Sequence, residues 1–222
     1  MDFIFQKVNV YREKYAVLAK FYPINDKNKG DARLFADIVD KNDLDASIDA
    51  YIIMINPGSC RRKQKDPTPL GNSKYAEMNL VEAVSDPAQK CVMAFMDECK
   101  LKKVRILNLL DYKEGNYEKA MSVMENLGEK ASLFSAERTE IRNELMQEDA
   151  VIIAAWGTDK RLAKLKIQAC NCLKDKKIIG VRPDPEKEYY DYEYIKPPTQ
   201  AAQIKRIMQL VECFQQYQAS MQ

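Results

Sequence analysis

Residues 50–55, AYIIMI, run directly into residues 56–68, NPGSCRRKQKDPT. The first stretch is apolar throughout and rich in β-branched side chains. It stops at an Asn-Pro-Gly turn signal. An apolar run without polar alternation is the mark of a strand covered on both faces, as in parallel sheets. Three more runs share that character: residues 104–110 (VRILNLL), 150–155 (AVIIAA) and 177–181 (KIIGV). Helical patterns occupy the intervals, over residues 75–83 and 88–99, then 117–127 and 135–146, then 159–173. Strand alternating with helix predicts an α/β fold, a three-layer α/β/α sandwich around a central, mainly parallel four-stranded sheet.

The flanks are simpler. Residues 3–23 alternate weakly and suggest a hairpin or strand pair, residues 25–30 read as a turn, and residues 32–39 fit a short helix or strand. A last helix is expected from Thr199 to about Tyr217, with Ile204, Ile207, Met208 and Val211 as its apolar stripe and Pro197-Pro198 ahead of it. With no repeat or linker, the 222 residues read as one domain, with an N-terminal extension over about 1–45.

Composition narrows the chemistry. The chain has no histidine, which removes His-dependent triads, zinc deaminase signatures and H-E-x-x-H proteases. Catalysis then falls to Asn, Asp, Glu, Lys, Tyr, Cys or backbone groups. The six cysteines show no C-x-x-C spacing, so no metal and no cofactor is expected. No stretch reaches the roughly 18 apolar residues of a membrane span, and the first residues, MDFIF, are not a signal peptide. A cytoplasmic protein without a membrane partner is the expectation. A net charge of +2 does not point to a polyanion partner, so local clusters must. One is Arg61, Arg62, Lys63 and Lys65; a second, Lys100, Lys102, Lys103 and Arg105, is expected to be a solvated face.

In open parallel sheets ligands bind beyond the carboxyl ends of the strands. There the sequence places Asn56-Pro57-Gly58-Ser59, Asp111-Tyr112-Lys113, Trp156-Gly157-Thr158-Asp159 and Arg182-Pro183-Asp184-Pro185. IMINPG, residues 53–58, resembles the G-I-N-P-G motif of the mismatch-specific branch of the uracil-DNA glycosylase superfamily, with Met54 in place of the first glycine. The ordered set INPGS, DPT (Asp66 to Thr68), ILNLLDYK and IIAAWG also resembles an uncharacterised bacterial family reading N-P-S, D-D-P-T, V-N-L and V-A-A-W-G. The superfamily's second motif usually carries His or Asn with Pro-Ser. This chain has Arg182-Pro183-Asp184-Pro185 and then Lys196-Pro197-Pro198, with Lys196 where the bacterial family tends to have His-Pro.

The resemblance implies a DNA-base glycosylase that cleaves the N-glycosidic bond of a damaged or modified base, in genome maintenance or phage defence. Its partner is then duplex or single-stranded DNA. Asn56 would hold water or the base edge, Pro57 fix the loop, and Gly58 and Ser59 let backbone approach the ligand. Asp66 or Asp111 would be the general base. Arg61, Arg62, Lys63, Lys65 and the helix start at Thr158 would grip phosphates, with Arg182 and Lys196 as further contacts. Trp156 or Tyr112 would stack on the base beside Gly157. Two other readings are a non-catalytic nucleic-acid or nucleotide-binding module on the same fold, and a nucleoside hydrolase or transferase.

Overall fold

The computed structural model describes residues 5–24, 30–64, 79–127, 132–184, 186 and 188–221. Its strands are β1 (Tyr15–Ile24), β2 (Gly30–Asp40), β3 (Ala50–Met54), β4 (Arg61–Arg62), β5 (Val81–Val84), β6 (Lys103–Asn108), β7 (Val151–Ala154) and β8 (Ile178–Ile179). Its helices are α1 (Val8–Lys14), α2 (Pro87–Cys99), α3 (Tyr117–Leu127), α4 (Thr139–Leu145), α5 (Ala163–Cys172) and α6 (Gln200–Ala219). The protein is an α/β fold around one eight-stranded mixed sheet, in the order β4-β5-β1-β2-β6-β3-β7-β8.

The four apolar runs do form adjacent parallel strands, β6-β3-β7-β8. Burial explains their unbroken apolar character. Along β3, Ala50, Ile52 and Met54 enter one core with α1, α2 and α6, while Tyr51, Ile53 and Ile55 enter a second core with α3, α4 and α5. Each fully buried Ile or Val side chain contributes about 1.5–3 kcal/mol, so neither face tolerates a polar residue without a partner.

The expectation of a four-stranded, mainly parallel sheet is corrected by the other half. The N-terminal segment is no extension: β1 and β2 form a long antiparallel hairpin inside the sheet, and β2 pairs antiparallel with β6. β4 and β5 extend the sheet beyond β1, also antiparallel. Of the helix expected over residues 75–83, the first part lies outside the described residues, and Val81–Val84 is strand because it pairs with β1 and β4. On α6 the buried face is Ile207, Leu210, Val211 and Phe214, where Phe214 meets Phe95 of α2 edge-on at 5.7 Å.

Two local features position the site. The register of β1 against β2 shifts between Lys20 and Phe21, leaving Leu34 as an extra residue, a β-bulge. Ala36 and Ile38 face the α2 core, whereas Phe35, Leu34 and Ala32 all join the other core. Arg33 is thereby turned the opposite way, toward Asn108. The second feature is the start of α2. Asp86 accepts from the Gln89 backbone N–H at 2.8 Å, while the Gln89 side chain accepts from the Asp86 N–H at 2.9 Å, a capping box with Pro87 at the first helical position.

The seam between the two halves carries a buried ion pair. Arg105 of β6 reaches both carboxylate oxygens of Asp37 on β2, at 2.7 and 2.8 Å, and lies over the Phe35 ring. Arg105 is thus part of the joint and not of a solvated face, and Lys102 also has a partner, Asp40 at 3.4 Å. Because the Asp37 side chain is only 3% exposed, Asp37→Ala leaves a guanidinium without its counter-charge. The variant should lose about 3–5 kcal/mol of stability in urea melts.

Candidate functional site

The carboxyl end of β3 is held tightly. Beyond the ladder, Leu109 and Leu110 donate their backbone N–H groups to the Met54 and Ile55 carbonyls at 2.8 and 2.9 Å, so the exits of β3 and β6 stay side by side. Asn56 Nδ2 donates to the carbonyls of Glu114 at 2.7 Å and Tyr112 at 3.5 Å. The amide therefore braces the loop after β6. Pro57 is buried, and its carbonyl accepts from the Cys60 N–H at 3.3 Å. Gly58 turns with φ +61°, and a Cβ there would lie 2.7 Å from Asp86 Oδ2. Both its backbone conformation and the adjoining carboxylate require glycine. Ser59 is exposed and packs beside Gly115.

Around that turn lies a set of groups that the sequence reading did not select. Arg33 is 1% exposed and Asn108 is fully buried. Arg33 Nη2 donates to Asn108 Oδ1 at 3.3 Å. Arg33 Nε and Nη1 and Asn108 Nδ2 meet no partner among the described residues, and neither does Gln89 Nε2. All four are N–H donors. Asp86, 8% exposed, faces the same region, with Arg33 and Lys196 as its positive neighbours and Tyr194 and Cys91 close by. Of the residues expected from the second motif, Lys196 acts electrostatically on Asp86.

The segment bearing Tyr194 and Lys196 is fixed from several sides. Lys166 of α5 pairs with Asp191 at 2.5 Å, fully buried on the lysine side. Glu193 N–H donates to the Val181 carbonyl at 2.8 Å, and Arg206 of α6 pairs with Glu193 at 2.8 Å. Trp156 belongs to this clamp. It is fully buried, donates Nε1–H to the Tyr190 carbonyl at 2.8 Å and meets Tyr192 edge-on at 5.7 Å. The stacking role expected of Trp156 is therefore corrected: its ring faces are packed against protein. Gly157, φ +81°, lies against Tyr194 and Ile55.

The remaining expected residues have other surroundings, although Tyr112 touches the turn through its carbonyl and the Asp111 carbonyl accepts from the Arg33 N–H at 2.9 Å. Asp111 is fully buried, paired with Arg138 at 2.6 Å and accepting from Tyr22 Oη at 2.8 Å. A carboxylate enclosed in that way is corrected from general base to structural anchor. Tyr112 is half-buried and bridges Ala32 through its backbone. Thr158 is exposed, and the helical start beside it is capped by Asp159, which accepts from Arg161 N–H at 2.8 Å. That end already holds an anion, so it does not present the phosphate grip expected there. Arg182 donates to the Glu188 carbonyl at 3.0 Å and lies by Tyr192. Arg61 is exposed, Arg62 stacks on Phe21, and Lys63 pairs with Glu82 at 2.6 Å. Lys65 and Asp66 lie outside the described residues. An Asp-Pro that does lie at the turn is Asp86-Pro87. Its sequence signal is legible: aspartate, proline, then glutamine three places after the cap, ahead of an apolar run.

Electrostatics separates the two aspartates. Burial pushes the Asp86 carboxyl above the ordinary carboxylate range, against the pull of Arg33, the Gln89 and Ala88 amides and Lys196. Burial also raises Tyr194, helped by Asp86, and pushes the Cys91 thiol up to about 12, so both stay protonated. Asp111 rises to about 6, burial outweighing Arg138 and Tyr22. Among the described residues no group of three His, Cys, Asp or Glu side chains could hold a metal, and no helix is long and apolar enough to cross a membrane.

Two outcomes follow. Asn56→Ala removes the brace to Glu114 and should cost about 1 kcal/mol, read by thermal melting. For Asp111, the unfolded carboxyl titrates near 4 and the folded one at about 6. Between these values the folded state binds more protons, so this group's contribution to stability falls as pH rises. Asp111→Asn cannot titrate. The unfolding free energy of wild type minus that of the variant should therefore decrease from about pH 4 to about pH 6 in urea melts.

Comparison with known proteins adds one similarity. A family model described as a protein of unknown function (DUF1643) matches residues 79–183, which run from just before β5 past the end of β8 and include Asp86 and Asn108. No curated protein and no solved structure matches the chain.

Proposed function

We propose that the protein is a DNA-base glycosylase that hydrolyses the N-glycosidic bond of a damaged or modified base. Arg33 is the observation that carries this reading. The guanidinium is 1% exposed, and its Nε and Nη1 meet no partner among the described residues, where each buried donor left without one costs about 1–3 kcal/mol. A ligand with acceptor atoms relieves that cost, and Asn108 Nδ2 adds a further donor beside it. In glycosidic cleavage negative charge collects on the departing base, and donors fixed in a water-poor recess stabilise it without reorganising. The IMINPG resemblance and the exposed Arg61 at the neighbouring sheet edge support a nucleic-acid substrate.

The test uses duplexes carrying a single uracil, hypoxanthine or 8-oxoguanine, followed by alkaline cleavage at abasic sites. Wild type should give strand breaks on at least one. Arg33→Met fills similar space with no buried charge, so its melting temperature should hold or rise while base release falls by about 10²-fold or more. Unchanged base release in that variant would remove Arg33 from the site. Turnover of free nucleosides alone would make the protein a nucleoside hydrolase.

A second reading has one observation in its favour. The Asn56 amide hydrogens go to loop carbonyls, which suits a scaffold more than a water-activating group. Tight DNA binding with no abasic product on any duplex would identify a binding module.

A further inference from the structure

The geometry points to Asp86 as the catalytic carboxylate of the site, a role that rests on the glycosylase reading proposed above. Its two oxygens have different duties. Oδ1 accepts the Gln89 N–H and closes the cap of α2, while Oδ2 lies against the Gly58 turn, in the space a Cβ on that residue would need. The residue's own N–H is held by Gln89 Oε1, and Ser85 before it receives Arg12 of α1 at 3.0 Å through its hydroxyl and 3.1 Å through its carbonyl. A carboxylate tied at both ends of its own residue, with one oxygen aimed at the ligand turn, is preorganised.

No other described carboxylate occupies that position. Asp111 is fully buried with Oδ2 held by Arg138 and Tyr22, and the chain has no histidine to take its place. Among the described residues, the charged and titratable groups coupled electrostatically to Asp86 are Arg33 of β2, Lys196 and Tyr194 from the segment before α6, and Cys91 one turn along α2. Burial makes Asp86 a stronger base than an exposed aspartate, while Arg33 and Lys196 favour its charged form.

Asp86 Oδ2 takes a proton from water as the water oxygen bonds to C1′ of the sugar. The bond from C1′ to the base nitrogen breaks, and its electron pair leaves with the base. The base departs as an anion facing the Arg33 and Asn108 donors and is then protonated from solvent. Asp86 returns its proton to solvent, and the hydroxyl stays on C1′ as the abasic sugar. The ionised carboxylate also faces the positive charge that develops on that sugar.

Asp86→Asn separates this role from helix capping, because asparagine caps a helix as well as aspartate does but cannot accept the proton. Asp86→Ser is the second variant, also a good cap and without an amide. The probes are the uracil, hypoxanthine and 8-oxoguanine duplexes, read by single-turnover abasic-site formation, duplex binding and thermal melting. Both variants should melt and bind near wild type and release base about 10²–10⁴-fold more slowly. The wild-type rate should rise with pH through one ionisation, and that rise should be missing from the residual rate of the variants. Active wild type with equally active Asp86→Asn, or with a variant that keeps the pH-dependent rise, overturns the assignment to Asp86 and leaves the glycosylase reading standing. Wild type inactive on all three duplexes overturns both.

Discussion

The antiparallel joint between β2 and β6 holds the molecule together. On one side lies the hairpin half of the sheet, on the other the parallel half, and the four residue pairs from Ala36–Ile106 to Val39–Lys103 join them. Arg105 and Asp37 cross this joint as a two-pronged ion pair, and Arg105 also donates to the Leu145 carbonyl of α4 at 3.1 Å. One side chain thus ties both sheet halves to a helix layer. The candidate site depends on this joint, because Arg33 and Asp86 come from the hairpin half, on β2 and just past β5, while Asn56 and Asn108 come from the parallel half.

The parallel strands were legible because each is covered twice and so carries no polar interruption. β2 was not, although it is just as deeply buried. Arg33, Asp37 and Asp40 break its apolar run, and all three are enclosed. Asp37 is satisfied by a residue some seventy positions away, a partner that no local pattern announces. Within the site, the turn at Asn56 and Gly58 could be read from residue types alone. The role of Trp156 could not, since an indole at a strand end serves equally as a wall or as a platform. Its bond to the Tyr190 carbonyl decides for the wall. Asp86 was masked by a second Asp-Pro, at Asp66, nearer the basic segment.

Having no histidine, the chain draws any titratable group and any positive pole near the strand ends from other side chains. It places a carboxylate whose proton affinity is raised by burial beside a guanidinium that never loses its charge. The two are carried by unrelated elements, a helix cap and a strand, so their separation is set by the packing of α2 on the sheet and not by a flexible loop. The clamp of Lys166 on Asp191 does the same for Lys196 by fixing the chain that precedes it.

The extra residue at Leu34 has a consequence for how such a site arises. Side chains along a strand alternate, so one inserted residue works as a parity switch for everything before it. With Leu34 present, Ala32 fills one core and Arg33 reaches Asn108 at the end of β6. Without it, the hairpin could pair in regular register and the same arginine would point into the opposite core. A single-codon insertion or deletion can thus bring a guanidinium to the buried Asn108 or take it away without substituting either residue.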